Sequence, residues 1–495
     1  MTSLETLRAA VGASLVGAPV AAANVEITSV VESLPDVLPG SLFCCVKGSR
    51  FDGHDLAREA IESGASAVVV ERELTNIDAP QLLVANARDE LGPIASCFYD
   101  NPAGKLKMFG VTGTNGKTTV AQILGHLLSQ SGERVGVIGT LNGAYTSPPA
   151  TKLQEQLEAL VRQGSTACVM EVSSHALAQS RVKGVHFRVG VFTNLTQDHL
   201  DYHHTMEDYF AAKAKLFSAD YVDAAVVNTD SEWGRRLVDI AKNQGVDKVL
   251  TYSLNDISDL QCLASSTRGE WRGEELNSPL VGEFNASNAL AAMLSACEFG
   301  MTESEVVRAL STMPGVPGRL ERIDVGQRFS VFVDFAHTPD GLKQILRTLS
   351  SVKSENARLI VVFGCGGNRD AAKRPLMASV VEDCADVVII TSDNPRDEDP
   401  EAIASEMVAG LNAPHAATVE TDRAKAIEAA LKMARHDDVV VIAGKGHETT
   451  QEIAGIKHPF DDREVVRNIL HALERNDLPQ DDAPKNDSLT NEVGK

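Results

Sequence analysis

Met108-Phe109-Gly110-Val111-Thr112-Gly113-Thr114-Asn115-Gly116-Lys117-Thr118-Thr119 is the stretch on which the fold of this chain turns. Met108 to Val111 reads as a buried strand, and it runs straight into a loop of small residues. Beyond the loop Val120, Ile123, Leu124, Leu127 and Leu128 recur at helical spacing, and Val135 to Ile138 returns to strand, which makes a βαβ unit. In that setting backbone N–H groups crowd around phosphate oxygens, and the helix N-terminus adds a favourable dipole. Gly113, Thr114, Asn115, Gly116 and Thr119 form the cradle, Lys117 reaches the outer phosphates, and Thr118 offers its hydroxyl to a magnesium ion. The general pattern G-x-x-x-x-G-K-[ST] wants glycine at 111, where this chain has Val111 with Gly110 one place earlier. A glycine-rich turn with an incidental lysine is the plainer alternative, and the flanking strand and helix argue against it.

Working outward, apolar strands alternate with helical stretches: Ala167 to Val172, Val189 to Phe192, Ala224 to Val227, then Ser330 to Phe335, Leu359 to Phe363, Val387 to Thr391 and Val439 to Ala443. That alternation predicts an α/β protein with parallel sheets covered by helices on both faces. Upstream, shorter runs at Leu42 to Val46, Ala67 to Val70 and Leu82 to Val84 end in Asn101-Pro102-Ala103-Gly104, a linker signature. A chain of 495 residues is too long for one core. Three domains are expected: an N-terminal α/β domain over 1–102, a central P-loop ATPase-like parallel-sheet domain over 103–317, and a Rossmann-like C-terminal domain over 318–477. The polar residues 478–495 are expected to be a disordered tail.

Composition narrows the function. Hydrophobic residues at 43% and charged residues at 23% describe a folded soluble chain. Forty-six basic against sixty-eight acidic residues give a net charge of −22, which opposes binding to nucleic acid or an anionic membrane, so an anionic substrate needs locally basic pockets. No signal-peptide pattern and no run long enough to span a bilayer are found, so a cytoplasmic protein without a membrane span is expected. The eight cysteines form no CxxC pair and read as buried thiols.

Glu171 closes the strand Ala167 to Val172 and precedes Ser173-Ser174-His175; there it faces a ligand at the sheet's carboxyl edge, or serves as a helix-capping or ion-paired acid. The next strand ends in Thr193-Asn194-Leu195-Thr196-Gln197-Asp198-His199-Leu200-Asp201-Tyr202-His203-His204, dense in ligand-capable groups, with surface decoration as the bland account. In Tyr209-Phe210-Ala211-Ala212-Lys213-Ala214-Lys215-Leu216-Phe217 the two lysines fall on different sides of a helix, and solvation is the ordinary expectation for each.

In this order and separation G-x-x-G-T-N-G-K-T-T, E-V-S-S-H, T-N-L-x-x-D-H-L-D-Y-H and A-A-K-x-x-L-F resemble the Mur ligases, and within them the MurE branch. The resemblance implies that Lys213 is carbamylated and, with Glu171 and His199, holds a second magnesium ion, so that Lys117, Glu171, His199 and Lys213 are the catalytic set and Thr118 completes the metal ligands. A carbamate turns a cation into an anionic oxygen ligand, and two ions then neutralise a transferring phosphoryl group.

Further on, Gly282-Glu283-Phe284-Asn285-Ala286-Ser287-Asn288-Ala289 precedes a helix and resembles the family's adenine-side contact through Asn288, with Asn capping as the structural alternative. Val316-Pro317-Gly318-Arg319-Leu320-Glu321 and Asp334-Phe335-Ala336-His337-Thr338-Pro339-Asp340 match its domain-junction and nucleotide motifs. Arg319 is expected on phosphate and Asp334 on ribose or a water-bound metal, or either belongs to an interdomain ion pair. Gly364 to Asp370, Ser392 to Arg396 and Gly444 to Glu448 each follow a predicted strand, where a ligand meets a parallel sheet. Asp393-Asn394-Pro395-Arg396 is similar to the signature tied to meso-diaminopimelate, whose extra carboxylate an arginine fork binds bidentately. By the same resemblance Arg369, Asp393, Asn394, Pro395, Arg396, Gly444 and Glu448 hold the amino acid, Glu448 balancing its distal ammonium.

Pro39-Gly40-Ser41-Leu42-Phe43 and Gly48-Ser49-Arg50-Phe51-Asp52-Gly53-His54-Asp55 resemble the family's uridine-binding domain. Two departures stand out: Ser33-Leu34-Pro35 replaces Asp-Ser-Arg, and Thr146-Ser147-Pro148-Pro149 replaces Thr-Thr-Pro-Glu. Thr146, Ser147, Ser173 and Arg181 are carried over as contacts to the nucleotide-peptide. The implied reaction adds meso-diaminopimelate to the D-Glu γ-carboxylate of UDP-N-acetylmuramoyl-L-alanyl-D-glutamate through an acyl phosphate, with ATP as co-substrate, two Mg2+ ions and a monomeric enzyme that closes its domains. A lysine-adding or folylpolyglutamate-synthase-like ligase is the alternative within enzymes, and a nucleotide-dependent binding protein on a ligase fold is the alternative outside them.

Overall fold

The computed structural model describes residues 2–17, 25–48, 51–143, 145–263 and 265–477. Ser49 and Arg50 of the glycine-flanked N-terminal motif and the expected tail 478–495 lie outside the described residues. The chain divides into two compact units between Val316 and Pro317.

The first unit holds two main sheets. Near the N-terminus five strands lie in the order Ser14–Val16, Gln81–Leu83, Ala67–Val70, Ser41–Cys44, Ser29–Val31; the first pair is antiparallel and the rest are parallel. The second sheet is parallel throughout, in the order Lys248–Tyr252, Val222–Asn228, Phe187–Phe192, Lys107–Thr112, Ala167–Glu171, Val135–Ile138. Its strands are apolar along their length because both faces are covered. On one face Val120, Leu124, Leu127 and Leu128 of the helix Lys117–Gln130 pack with Phe109, Val111 and the alanine-rich helix Glu283–Phe299. Leu153, Leu157, Leu177, Phe210 and Phe217 cover the other. From Ala167–Glu171 the chain crosses the phosphate-loop strand to reach Phe187–Phe192, so Thr112, Glu171 and Phe192 end at one carboxyl edge, which is where open parallel sheets bind ligands.

The second unit carries a six-stranded sheet in the order Glu321–Ile323, Ser330–Asp334, Val439–Ala443, Leu359–Phe363, Val387–Ile390, Thr418–Val419, parallel except for its first pair. No helix of the described residues is long and apolar enough to cross a membrane.

Three features depart from the sequence reading. Two antiparallel elements stood outside the expected alternation: the sheet Ile257–Cys262, Thr267–Trp271, Glu274–Ser278, and the hairpin Thr450–Ile453 with Ile456–Pro459. Both carry two-residue turns with positive φ at each position, Arg272-Gly273 and Ala454-Gly455, the geometry that matches strand twist in tight hairpins. Secondly, Glu283 to Ala289 does not precede a helix but forms its first turns, capped by Gly282 at φ 100 with no side-chain cap, so neither asparagine is a cap. Thirdly, the helix Met206–Ala214 ends before Lys215, which is exposed, while Lys213 is buried against expectation. Among the eight cysteines only Cys44, Cys45, Cys168 and Cys365 are buried; the others are partly exposed, and all are unpaired.

Candidate active site

The phosphate loop is held from the neighbouring strand end. Asn115 N–H donates to Asn194 Oδ1 at 2.9 Å, Thr114 N–H to Asn194 O at 2.9 Å, and Thr193 Oγ1 to Asn115 O at 2.6 Å. Thr196 N–H reaches Thr114 Oγ1 at 3.0 Å. These bonds make Thr193 to Thr196 the clamp on the loop, not surface decoration. Gly113 has φ 151 and Gly116 φ 85; a Cβ on Gly113 would run into Thr193 Oγ1, and one on Gly116 into Asn288 Oδ1. Asn288, the expected adenine-side residue, therefore lies against the loop, and its Nδ2 donates to Asn285 Oδ1 at 3.3 Å. Gly116→Ala has neither room nor a relaxed backbone. It is expected to raise the KM for ATP by about tenfold while leaving the melting temperature within a few degrees, a pair of readouts that separates loop damage from unfolding.

Two lysines converge on one carbonyl. Lys117 Nζ donates to Gly113 O at 3.0 Å and Thr114 O at 2.8 Å, and Lys213 Nζ donates to Gly113 O at 2.8 Å. Lys213 is 1% exposed and its amine lies 4.5 Å from the centre of the Tyr209 ring. Burial, reinforced by the charge of Lys117 and opposed by Asp198, holds its pKa well below the usual lysine value. The shift favours the neutral amine, the form that reacts with carbon dioxide.

Glu171 is 2% exposed, and among the described residues it caps no helix and makes no ion pair. Its carboxylate accepts from Thr118 Oγ1 at 3.0 Å on each oxygen, from Thr140 N–H at 2.8 Å and from Thr140 Oγ1 at 3.2 Å; the cap of the following helix is Ser173. Thr118 and Glu171 thus present oxygen donors beside a phosphate loop, a set that fits magnesium, which takes few protein carboxylates and fills its octahedron with phosphate and water. His199 sits at φ 53 with Nε2 3.4 Å from Asp198, and its ring packs edge-on to His175 at 4.8 Å. Burial lowers the pKa of His199, which keeps a nitrogen lone pair available to a metal.

Of the four residues expected on the nucleotide-peptide, Ser147, Ser173 and Arg181 are joined directly, and Thr146 meets Thr140. Ser147 Oγ donates to Glu171 O at 2.9 Å and accepts from Ser173 N–H at 2.9 Å, Arg181 Nη1 donates to Ser147 O at 3.0 Å, and Thr146 Oγ1 lies 3.1 Å from Thr140 Oγ1. Thr140 was missed from sequence; Tyr209, whose hydroxyl is 3.2 Å from Thr114 Oγ1, was quoted there only as the start of the lysine stretch. Thr193 and Asn194 were quoted there but given no role; each follows a strand on the edge that flagged Glu171, so position alone was the signal.

In the second unit the three expected loops interlock. Gly367 N–H donates to Asn394 O at 2.9 Å, and Arg396 Nη1 to Gly367 O at 2.7 Å. A Cβ on Gly366 would lie 3.1 Å from Arg396 Nη1 and 3.8 Å from Arg369 Cγ, so the two arginines flank it. Asn394 Nδ2 donates to Glu448 Oε2 at 2.8 Å. Lys445, fully buried and missed from sequence, donates to Glu448 Oε2 at 2.9 Å, Asn394 Oδ1 at 3.1 Å and Thr450 O at 2.7 Å. Burial pushes the Glu448 pKa up, but Lys445 and Asn394 outweigh it and the net shift is downward, so Glu448 stays anionic. At Gly444, φ 115, a Cβ would come within 2.7 Å of Asp393 Oδ2. Pro395 O accepts from Glu398 N–H at 3.1 Å. Beneath, the buried Arg423 joins Asp462 through two 2.7 Å bonds and donates to Ser392 O and Ala443 O, the residues just before Asp393 and Gly444.

Asp334 differs from expectation. Both its oxygens accept backbone N–H groups, from Leu320 at 2.6 Å and Ala336 at 2.6 Å, and Arg319 lies over the Phe335 ring at 4.4 Å. These two bonds fix the turn that carries Arg319.

A glycine loop on a parallel-sheet edge, a buried acid bonded to its threonine, and a separate sheet carrying an arginine-centred loop define a nucleotide-dependent α/β enzyme. The chain belongs to the Mur ligase family: it matches the models described as Mur ligase family, catalytic domain, over 36–98, Mur ligase middle domain over 111–296, and Mur ligase, glutamate ligase domain, over 318–446. It is 42% identical over 463 residues to the UDP-N-acetylmuramoyl-L-alanyl-D-glutamate--2,6-diaminopimelate ligase of Aquifex aeolicus, covering 90% of this chain and 94% of the relative. The protein of that name from Pseudomonas aeruginosa is 42% identical over 461 residues, covering 88% and 94%. A solved structure of a UDP-N-acetylmuramoyl-L-alanyl-D-glutamate--2,6-diaminopimelate ligase superposes with a TM-score of 0.66 at 35% identity, covering 90% of this chain and 95% of its own.

Proposed function

We propose that this chain is an ADP-forming ligase of peptidoglycan precursor synthesis that joins meso-diaminopimelate to the D-Glu γ-carboxylate of UDP-N-acetylmuramoyl-L-alanyl-D-glutamate. The observation that carries the reading is the Asp393-Asn394-Pro395-Arg396 loop, locked to Gly367 and Glu448, in a chain 42% identical to a diaminopimelate ligase over 90% of its length. A γ-carboxylate oxygen attacks the γ-phosphorus of ATP, ADP departs, and an acyl phosphate forms. The diaminopimelate amine then attacks the acyl carbon, loses a proton, and phosphate leaves, a far better leaving group than oxide. Gly113 to Thr119 cradle the phosphates, and Lys117 exchanges its two carbonyl partners for phosphate oxygens. Asn288 supports the nucleotide side in the first unit, and in the second Arg319 and Asp334 are nucleotide contacts carried on their own turn. Thr146, Ser147, Ser173 and Arg181 orient the nucleotide-peptide.

Lys213 attacks carbon dioxide through its neutral amine and gives up a proton, becoming a carbamate. Thr118, Glu171, His199 and that carbamate would then hold two magnesium ions, which supply neutralising charge to the phosphoryl oxygens. Glu448 meets the distal ammonium of diaminopimelate and Arg396 its distal carboxylate, with Arg369 alongside. Using ATP and a nucleotide-linked precursor, the enzyme would work in the cytoplasm.

Phosphate release measured with the UDP-dipeptide, ATP and magnesium is expected to require meso-diaminopimelate, to be low with L-lysine or no amino acid, and to stop with EDTA. Equal release in all three amino-acid conditions refutes the ligase reading; preference for L-lysine refutes the diaminopimelate assignment.

A further inference from the structure

The hairpin Thr450–Pro459 is absent from every motif considered above, yet it is bonded into the amino-acid loop. Glu452 N–H donates to Asn394 Oδ1 at 2.9 Å. Arg396 N–H donates to Glu452 O at 3.0 Å, and Ala454 N–H to Arg396 O at 2.7 Å, so Arg396 pairs with the hairpin as an added strand residue. The Glu452 side chain then turns to the same arginine: its Oε2 lies 3.3 Å from Arg396 Nε. With Nη1 donating to Gly367 O at 2.7 Å, the guanidinium is held by one hydrogen bond and by the ion pair at Nε, and Nη2 has no hydrogen-bond acceptor among the described residues.

We propose that Glu452 is a positioning residue for Arg396 and thereby determines specificity for an amino acid with a second carboxylate; this rests on the function proposed above. An arginine carries roughly 2 kcal/mol of rotamer freedom, and its advantage over a point charge comes from a fixed fork. Glu452 and Gly367 fix that fork before a ligand arrives and leave Nη2, with the second hydrogen of Nη1, for the incoming carboxylate. Glu452 also opposes the ligand's negative charge. Both Arg396 and Glu452 keep partial solvent contact, 21% and 31% of their side chains, so screening weakens that repulsion and the ordering effect wins.

Three variants assayed by phosphate release test the assignment. Glu452→Ala is expected to raise the KM for meso-diaminopimelate by about fivefold, with kcat and the KM values for ATP and the UDP-dipeptide changed less than about twofold. Glu452→Gln keeps an oxygen for Nε and is expected to show less than about half of that rise. In an Arg396→Ala background Glu452→Ala is expected to add nothing, because the group it positions is gone. An unchanged or lowered KM in Glu452→Ala, equal losses in the alanine and glutamine variants, or full additivity with Arg396→Ala overturns the assignment. If wild-type release is indifferent to diaminopimelate, the parent reading fails instead, and the two failures are distinct.

Discussion

Lys213→Ala is expected to lower kcat by about a thousandfold with the melting temperature and the KM for ATP little changed, because it removes the proposed anionic metal ligand, not the nucleotide cradle. The cradle keeps its own support: Gly113 O still receives Lys117, and Thr193, Asn194 and Thr196 still hold Thr114 and Asn115. Formate in the space left by the lysine is expected to restore part of the rate. A pH arm carries the sign. Burial and Lys117 lower the pKa of the Lys213 amine, so its neutral, carbon-dioxide-reactive form is favoured above that depressed pKa, and the proposed carbamate would be lost as pH falls through it. Wild-type enzyme stripped of carbon dioxide at acidic pH is therefore expected to regain activity on return to neutral buffer faster with bicarbonate than without. Wild-type turnover in Lys213→Ala would refute the carbamate role.

Burial is what the sequence could not show for Lys213. Periodicity identified a helix there, and an average lysine on such a helix is solvated; the short helix Met206–Ala214 instead presses that face beneath the phosphate loop, with Tyr209 beside it. Parallel strands were legible because they are buried on both faces and read as apolar runs: Val135–Ile138, Leu359–Phe363 and Val439–Ala443 lie where the pattern put them. The hairpin Thr450–Pro459 was not, since its second strand is exposed and offers no apolar alternation, only the Ala454-Gly455 turn. The place of Glu171 beside the phosphate loop was legible from its position at a strand end. The two backbone amides on Asp334 were not, because a strand-end acid reads alike whether it meets a ligand or such amides. Lys445 was hidden for a similar reason: flanked by glycines it looks like a solvated turn residue, whereas three acceptors hold it in the core.

Arg396→Ala is expected to lower kcat/KM for meso-diaminopimelate by about a hundredfold or more, the loss that follows from truncating one partner of a hydrogen-bonded charge pair at roughly 3 kcal/mol. The loop is expected to survive the change, because its links to the hairpin are made by the Arg396 backbone, through Glu452 O and Ala454 N–H, and Asn394 remains fixed by Lys445, Glu448 and Gly367. Arg396→Lys is expected to recover less than about a tenth of the lost efficiency, since an ammonium cannot replace a two-pronged donor fixed at Nε and Nη1. The residual rate with L-lysine, which has no distal carboxylate, is expected to be unmoved in both variants. Glu448, kept anionic by Lys445 and Asn394, is untouched by the substitution and remains available for the proposed contact with a distal ammonium. The ratio of diaminopimelate to lysine efficiency therefore isolates the carboxylate contact from every other part of the site. A parallel loss for both amino acids would show that Arg396 supports the loop and does not read the substrate.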